Sequence, residues 1–233
     1  MTIMLDTGGH GVGISEELVE KYQMKRDTSI TTKGFLPAFG IVQKRHPVVI
    51  PNITIGNMEM TNIYAGYSEF NSKAKEKYQG PEFDLIMGLD VFVGYLEEVS
   101  FDWENGVLAF KKKISFSDGQ PFLFYDSKVF TTFGSNGNYY TSVLDTGSPN
   151  DIIEKEVYLK NYTKKEAKKY GDYGYTEYTM NFELNATEIL QLKIGDYNDG
   201  LNLVIGGEKV ELLIGNNHKY LKFNLRDNRF ELR

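Results

Sequence analysis

The hydrophobic positions of this chain come in short runs that mostly alternate with polar ones, the pattern of half-buried strands. Val48 to Ile55, the dipeptide Gly56-Asn57 and Met58 to Tyr64 predict a hairpin. Val99 to Phe101 and Val107 to Phe110 flank Asp102-Trp103-Glu104-Asn105-Gly106 and predict a second. Lys128 to Phe133 and Tyr139 to Leu144 flank Gly134-Ser135-Asn136-Gly137-Asn138 and predict a third. Helical spacing is scarce. Glu16 to Gln23 follows Ser15 and predicts a short helix. Lys164 to Tyr170 follows Thr163, with Glu166 set for a capping box, and predicts another. The expected fold class is mainly β.

Two patterns then repeat. Leu5-Asp6-Thr7-Gly8 and Leu144-Asp145-Thr146-Gly147 each end an apolar stretch. Each is followed far downstream by two apolar residues and a glycine, Ile86-Met87-Gly88 and Leu213-Ile214-Gly215. One Asp-Thr-Gly would mark no more than a strand running into a turn. Two copies, each with its own partner segment, point to two carboxylates supplied by a duplicated fold. Val99 to Phe110 also lines up without a gap against Leu221 to Leu232, with Asn105-Gly106 falling on Asp227-Asn228. The boundary is expected in the charged, turn-rich stretch from Lys111 to Pro121, giving an N-terminal lobe over 1–116 and a C-terminal lobe over 117–233. The second half has a full hairpin, Val129 to Leu144, leading into its Asp-Thr-Gly, whereas the first has only Thr2 to Leu5. The first strand of the first lobe is therefore expected to be missing from this sequence, by truncation at the N-terminus, or supplied from elsewhere.

Composition narrows the chemistry. The 233 residues are 41% hydrophobic and 25% charged, ordinary for a globular protein with a sizeable core. Sixteen tyrosines and fifteen phenylalanines favour strands. A net charge of −6 leaves no basic footprint, so nucleic acid is not an expected partner. The absence of cysteine excludes disulfides, thiolate catalysis and Cys-ligated zinc, and leaves the compartment open, with export to the periplasm or outside as the expectation. His10, His46 and His218 are scattered, with no partner at metal-ligand spacing, so no metal site is expected. No apolar run nears the roughly 20 residues that cross a bilayer. No leader peptide is expected in the few residues before Asp6. Gly8-Gly9-His10-Gly11-Val12-Gly13 lacks the Lys-Ser/Thr ending of a phosphate loop, and Asp6 at its mouth would repel phosphate.

On these residues the chain resembles the aspartic protease superfamily, as a single-chain arrangement of two retropepsin-like lobes, similar to pepsin-like enzymes in topology. The segment Phe83-Asp84-Leu85-Ile86-Met87-Gly88-Leu89-Asp90-Val91-Phe92 is especially like the family's second motif. The resemblance implies two β-barrel lobes related by pseudo-twofold symmetry, with the active site between them. It implies that Asp6 and Asp145 are catalytic and that the Thr7 and Thr146 hydroxyls each tie to the backbone of the opposite lobe. It also implies that Gly8 and Gly147 offer N–H groups to the carboxylates, and that Gly88 and Gly215 support the turns from beneath. No cofactor is implied. The implied partner is an extended polypeptide substrate, and a monomer suffices because one chain carries both aspartates.

Paired carboxylates about 3 Å apart cannot both be ionised, as this family exemplifies, so the pair shares one proton. The ionised member takes a proton from water while the other polarises the scissile carbonyl, and no acyl-enzyme forms. Ser148 follows the second Asp-Thr-Gly where Gly9 follows the first. Its hydroxyl is expected to donate to Asp145 and favour that carboxylate's charged form, leaving Asp6 as the proton holder. Flap hairpins are expected over Thr32 to Val42 and Gly171 to Tyr178, with Phe35, Phe39, Tyr173 and Tyr175 touching substrate. A second reading shares all these residues: a catalytically inactive relative that only binds peptides.

Overall fold

The computed structural model describes residues 1–36, 41–68, 83–135, 137–154, 166–170, 173–183, 189–197, 203–205 and 207–233. Side chains are described outside 33–44, 67–82, 135–136, 155–204, 206 and 208. The chain is mainly β. It divides into two compact units, Met1–Val91 and Phe92–Arg233.

The first unit holds β1 (Ile3–Leu5), β2 (Val12–Ser15), α1 (Glu16–Lys21), β3 (Thr32–Leu36), β4 (Ile41–Ile55), β5 (Met58–Ser68) and β6 (Leu85–Met87). A short 3-10 helix, Leu89–Phe92, follows. The strands form one sheet in the order β1-β6-β2-β5-β4-β3. The expected hairpin is β4–β5, closed by Gly56-Asn57 with Ile55 opposite Met58. Gly56 sits at φ +61, a conformation that favours glycine there. The ladder skips Pro51, which has no N–H to give, and Asn62, which has φ +53. The inward positions shift accordingly from Val48 and Ile50 to Ile53, and all three are buried. Ser15 caps α1 by accepting the Leu18 N–H at 3.3 Å, so the expected helix forms, ending at Lys21.

The second unit holds β7 (Glu98–Asp102), β8 (Val107–Lys111), β9 (Gln120–Pro121), β10 (Leu123–Tyr125), β11 (Lys128–Ser135), β12 (Asn138–Leu144) and β13 (Asp151–Ile153). Next come β14 (Glu166–Tyr170), β15 (Tyr173–Glu183), β16 (Ile189–Tyr197), β17 (Leu203–Ile205), β18 (Glu208–Val210), β19 (Leu212–Ile214), β20 (Tyr220–Asn224) and β21 (Arg229–Leu232). Its large sheet runs β10-β11-β12-β19-β13-β16-β15-β14, and β17–β18 form a small ribbon. The last six strands of that order repeat the first unit's sheet position by position, parallel and antiparallel pairs included. The first unit's sheet ends at β1, while β12 is flanked by β11 and β10. One further pair, Gly134 opposite Glu183, brings the large sheet back on itself.

A five-stranded sheet, β8-β7-β20-β21-β9, completes this unit. The two hairpins aligned in the sequence are its centre, and they pair with each other. Val99 lies opposite Phe223, Phe101 opposite Leu221, and Ser100 opposite Lys222. Phe101, Phe122 and Phe223 meet edge to face above it, and Phe133 of β11 meets Phe230 of β21.

One expected helix is a strand. Glu166–Tyr170 pairs with β15, Lys168 opposite Tyr175 and Tyr170 opposite Tyr173. A helix of so few residues has little propensity to form alone, and ladder bonds to a neighbouring strand outweigh a single capping box. Among the described residues no helix is long and apolar enough to cross a membrane.

Candidate active site

The two Asp-Thr-Gly turns are built alike. In the first unit β1 runs parallel to β6 with Leu5 opposite Met87, and the Asp6 N–H continues the ladder to the Met87 carbonyl at 2.9 Å. Gly8 N–H donates to Asp6 Oδ1 at 2.9 Å, and Gly9 N–H to the Asp6 carbonyl at 2.9 Å. In the second unit β12 runs parallel to β19 with Leu144 opposite Ile214, and Asp145 N–H reaches the Ile214 carbonyl at 2.8 Å. Gly147 N–H donates to Asp145 Oδ1 at 3.0 Å, and Ser148 N–H to the Asp145 carbonyl at 3.0 Å. Each carboxylate is half-buried and held by its own turn, while Thr7 and Thr146 are buried behind it. The tetrapeptide thus folds the same way twice, because the strand before it and the apolar pair beneath it occupy the same register.

The supporting glycines are packed against these turns. A Cβ at Gly88 would overlap Asp90 Oδ1 and stand 3.0 Å from the Gly9 carbonyl oxygen. One at Gly215 would stand 2.5 Å from the Asn150 carbonyl oxygen and 2.6 Å from that of Ser148. Both approaches need a residue without a side chain. Asp90 braces the first turn by accepting the Gly11 N–H at 3.1 and 3.2 Å. Exposed His10 lies with Nδ1 3.3 Å from Asp90 Oδ2.

Ser148 differs from expectation. Its hydroxyl donates to the Asn150 carbonyl at 2.7 Å, which uses its one proton within the turn. Donation to Asp145 is therefore not the source of any inequality between the aspartates. Of the expected substrate-contacting residues, Phe35 lies in β3 opposite Val42, in the β3–β4 hairpin. Tyr173 and Tyr175 lie in β15, opposite Tyr170 and Lys168 in the β14–β15 hairpin. The side chains of these three fall outside those described, and Phe39 lies outside the described residues altogether. Among the described residues no group of three or more His, Asp or Glu side chains gathers to hold a metal ion.

The second turn has a support that sequence reasoning passed over. Asp151 begins β13 with its side chain fully buried, and its Oδ1 accepts both the Gly215 N–H at 2.8 Å and His218 Nε2 at 3.0 Å. The next residue, Asn216, donates its backbone N–H to the Ser148 carbonyl at 2.8 Å and its Nδ2 to the Thr146 carbonyl at 3.0 Å. Counting from each Asp-Thr-Gly and each supporting glycine, Asp151, Asn216 and His218 stand where the first half has Val12, Leu89 and Val91. Three apolar positions turned polar together were the signal available in the sequence.

A protein-family model described as aspartyl protease matches residues 1–91, the extent of the first compact unit. Over those residues the chain is similar to aspartyl proteases, which supports the aspartic protease superfamily and a function of the aspartic protease type. The mainly β architecture agrees with a β-rich, retropepsin-like fold. No curated protein matches the chain.

Proposed function

We propose that this chain is an aspartic endopeptidase in which Asp6 and Asp145 act together on one water molecule. The observation that carries the reading is the like-for-like construction of the two turns on two sheets of the same strand order. The family match over residues 1–91 supports it from the first turn. Divided by repeat, residues 1–116 and 117–233 each contribute one aspartate. The Gly8 and Gly147 N–H groups fix Oδ1 of each carboxylate, and two carboxylates acting on one water share a single proton because like charges at such close range cannot both persist. The ionised member deprotonates water and the protonated member hydrogen-bonds the scissile carbonyl. Substrate is an extended polypeptide lying under the β3–β4 and β14–β15 hairpins, and the active species is a monomer.

Cleavage of unfolded casein across a pH series, with and without a statine-type inhibitor, tests this. Asp6→Asn and Asp145→Asn should each lower kcat by roughly a thousandfold or more while thermal unfolding stays within a few degrees of wild type. Normal turnover by either variant overturns the shared water. A wild type that binds extended peptides but cleaves none at any pH is a binding protein, not a peptidase.

A further inference from the structure

Asp151 and His218 take no part in the chemistry proposed above, yet both side chains are almost completely withdrawn from solvent, at 0% and 6% exposure. A carboxylate buried to this degree persists only where donors compensate its lost hydration. Here both donors converge on one oxygen, while Oδ2 is buried with no partner among the described residues. Such an arrangement has a cost, and a valine like the one at position 12 would avoid it. The first half has no carboxylate on its supporting glycine: the Gly88 N–H donates instead to the Gly11 backbone carbonyl at 2.8 Å, and Asp90 takes the Gly11 N–H from the other side. The polar replacement is thus particular to the half that carries Asp145.

The hydrogen bonds define what the carboxylate reaches. Asp151 fixes the Gly215 N–H, and the peptide that follows belongs to Asn216. Asn216 grips the Thr146 and Ser148 carbonyls from below, while the Ile214 carbonyl receives the Asp145 N–H from above. Residues 214–216 are therefore a three-residue cradle, touching the catalytic turn at three points and anchored by one buried carboxylate. His218 closes the far side of that anchor. A rotation at Gly215, which has no side chain to resist it, would release the turn.

We propose that Asp151 and His218 are a positioning pair for Asp145: through Gly215 and Asn216 they hold the second Asp-Thr-Gly turn in its working geometry. The role rests on the reading of Asp145 as catalytic, but its structural half is measurable without turnover. Amide hydrogen exchange is followed in the full chain for Gly147, Ser148, Gly215 and Asn216, with Leu221 and Phe223 of β20 as references.

Asp151→Val, which installs the first half's residue, should speed exchange of the four turn and cradle amides about tenfold or more and leave the β20 amides unchanged. His218→Leu, a milder change, should do the same to a smaller extent, and decides the matter alone if Asp151→Val does not fold. Asp151→Asn keeps an acceptor oxygen and should restore most of the protection. On an active enzyme, Asp151→Val should lower kcat about tenfold or more with KM within about twofold, and Asp151→Asn should recover it to within about threefold.

Wild-type exchange at Gly147 and Ser148 in both disruptive variants overturns the proposal, as does equal acceleration in β20, which marks ordinary loss of stability. A wild type without peptidase activity counts against the endopeptidase reading alone. The exchange result then still decides for or against the pair.

Discussion

A methyl group at position 215 would meet two backbone carbonyl oxygens, those of Asn150 and Ser148, whereas one at position 88 would meet first the side chain of Asp90. Side chains swing aside and backbone does not. Gly215→Ala should therefore destabilise by about 1–3 kcal/mol, and Gly88→Ala by less, measured by denaturant unfolding. The reverse order would mean that the Asp90 carboxylate is the more rigid obstacle. At this scale the sequence yielded the aspartates and their glycines because they come twice. Asp151 escaped notice because a strand position facing inward is read as apolar and a lone aspartate there looks like a turn residue, and His218 reads only as one of three scattered histidines. Only the bonds from Gly215 and His218 reveal that the aspartate's oxygen is used.

Among the elements, the three predicted hairpins and the capped helix formed where local pattern and tertiary pairing agree. The segment Glu166–Tyr170 went the other way because the bonds deciding it come from β15, which no local signal announces. The pairing of β7 with β20 was likewise invisible to periodicity, although the repeat alignment named both strands. That hairpin carries a titrating anchor. Glu98 is fully buried, and its two oxygens accept Lys111 Nζ at 2.7 Å, Ser115 N–H at 2.6 Å and Ser115 Oγ at 2.7 Å.

Burial alone would raise the Glu98 pKa, but the bonds from Lys111 and Ser115, with nearby Lys222, prevail and hold it below the usual 4.5. A depressed value contributes stability above the unfolded pKa and loses it as pH falls through the folded one. Glu98→Gln should accordingly be less stable than wild type at pH 7 by roughly 2 kcal/mol. The gap should narrow steadily below about pH 4.5, the unfolded value. Thermal unfolding at neutral and acidic pH measures it, and a constant gap would exclude the carboxylate as the cause.

For the molecule as a whole, duplication is written at two levels that do not coincide. The sheets carrying Asp6 and Asp145 repeat strand for strand, one in each compact unit. The closing hairpins of the two repeats are instead laid side by side in one sheet, so the compact units part at Val91 and Phe92, ahead of the first hairpin. The repeats are also unequal where it matters for chemistry. The first aspartate's turn rests on backbone bonds, apolar packing and the part-exposed Asp90 carboxylate, the second on the fully buried Asp151 carboxylate and on Asn216. Two aspartates that look interchangeable in sequence are held by different means.

The β7–β20 ladder has one more property. In the repeat alignment Ser100 corresponds to Lys222, and those two residues face each other, while the flanking pairs mirror about that point: Val99 meets Phe223, the counterpart of Phe101, and Phe101 meets Leu221, the counterpart of Val99. The ladder is therefore self-complementary: either hairpin offers the register that the other needs. A polypeptide ending at residue 116 should meet a second copy of itself along this edge, Ser100 against Ser100, and sediment as a concentration-dependent dimer beside a monomeric full chain. A fragment that stays monomeric at every concentration would contradict this. A dimer there would make the β7–β20 ladder a contact that two identical halves form without any covalent link between them.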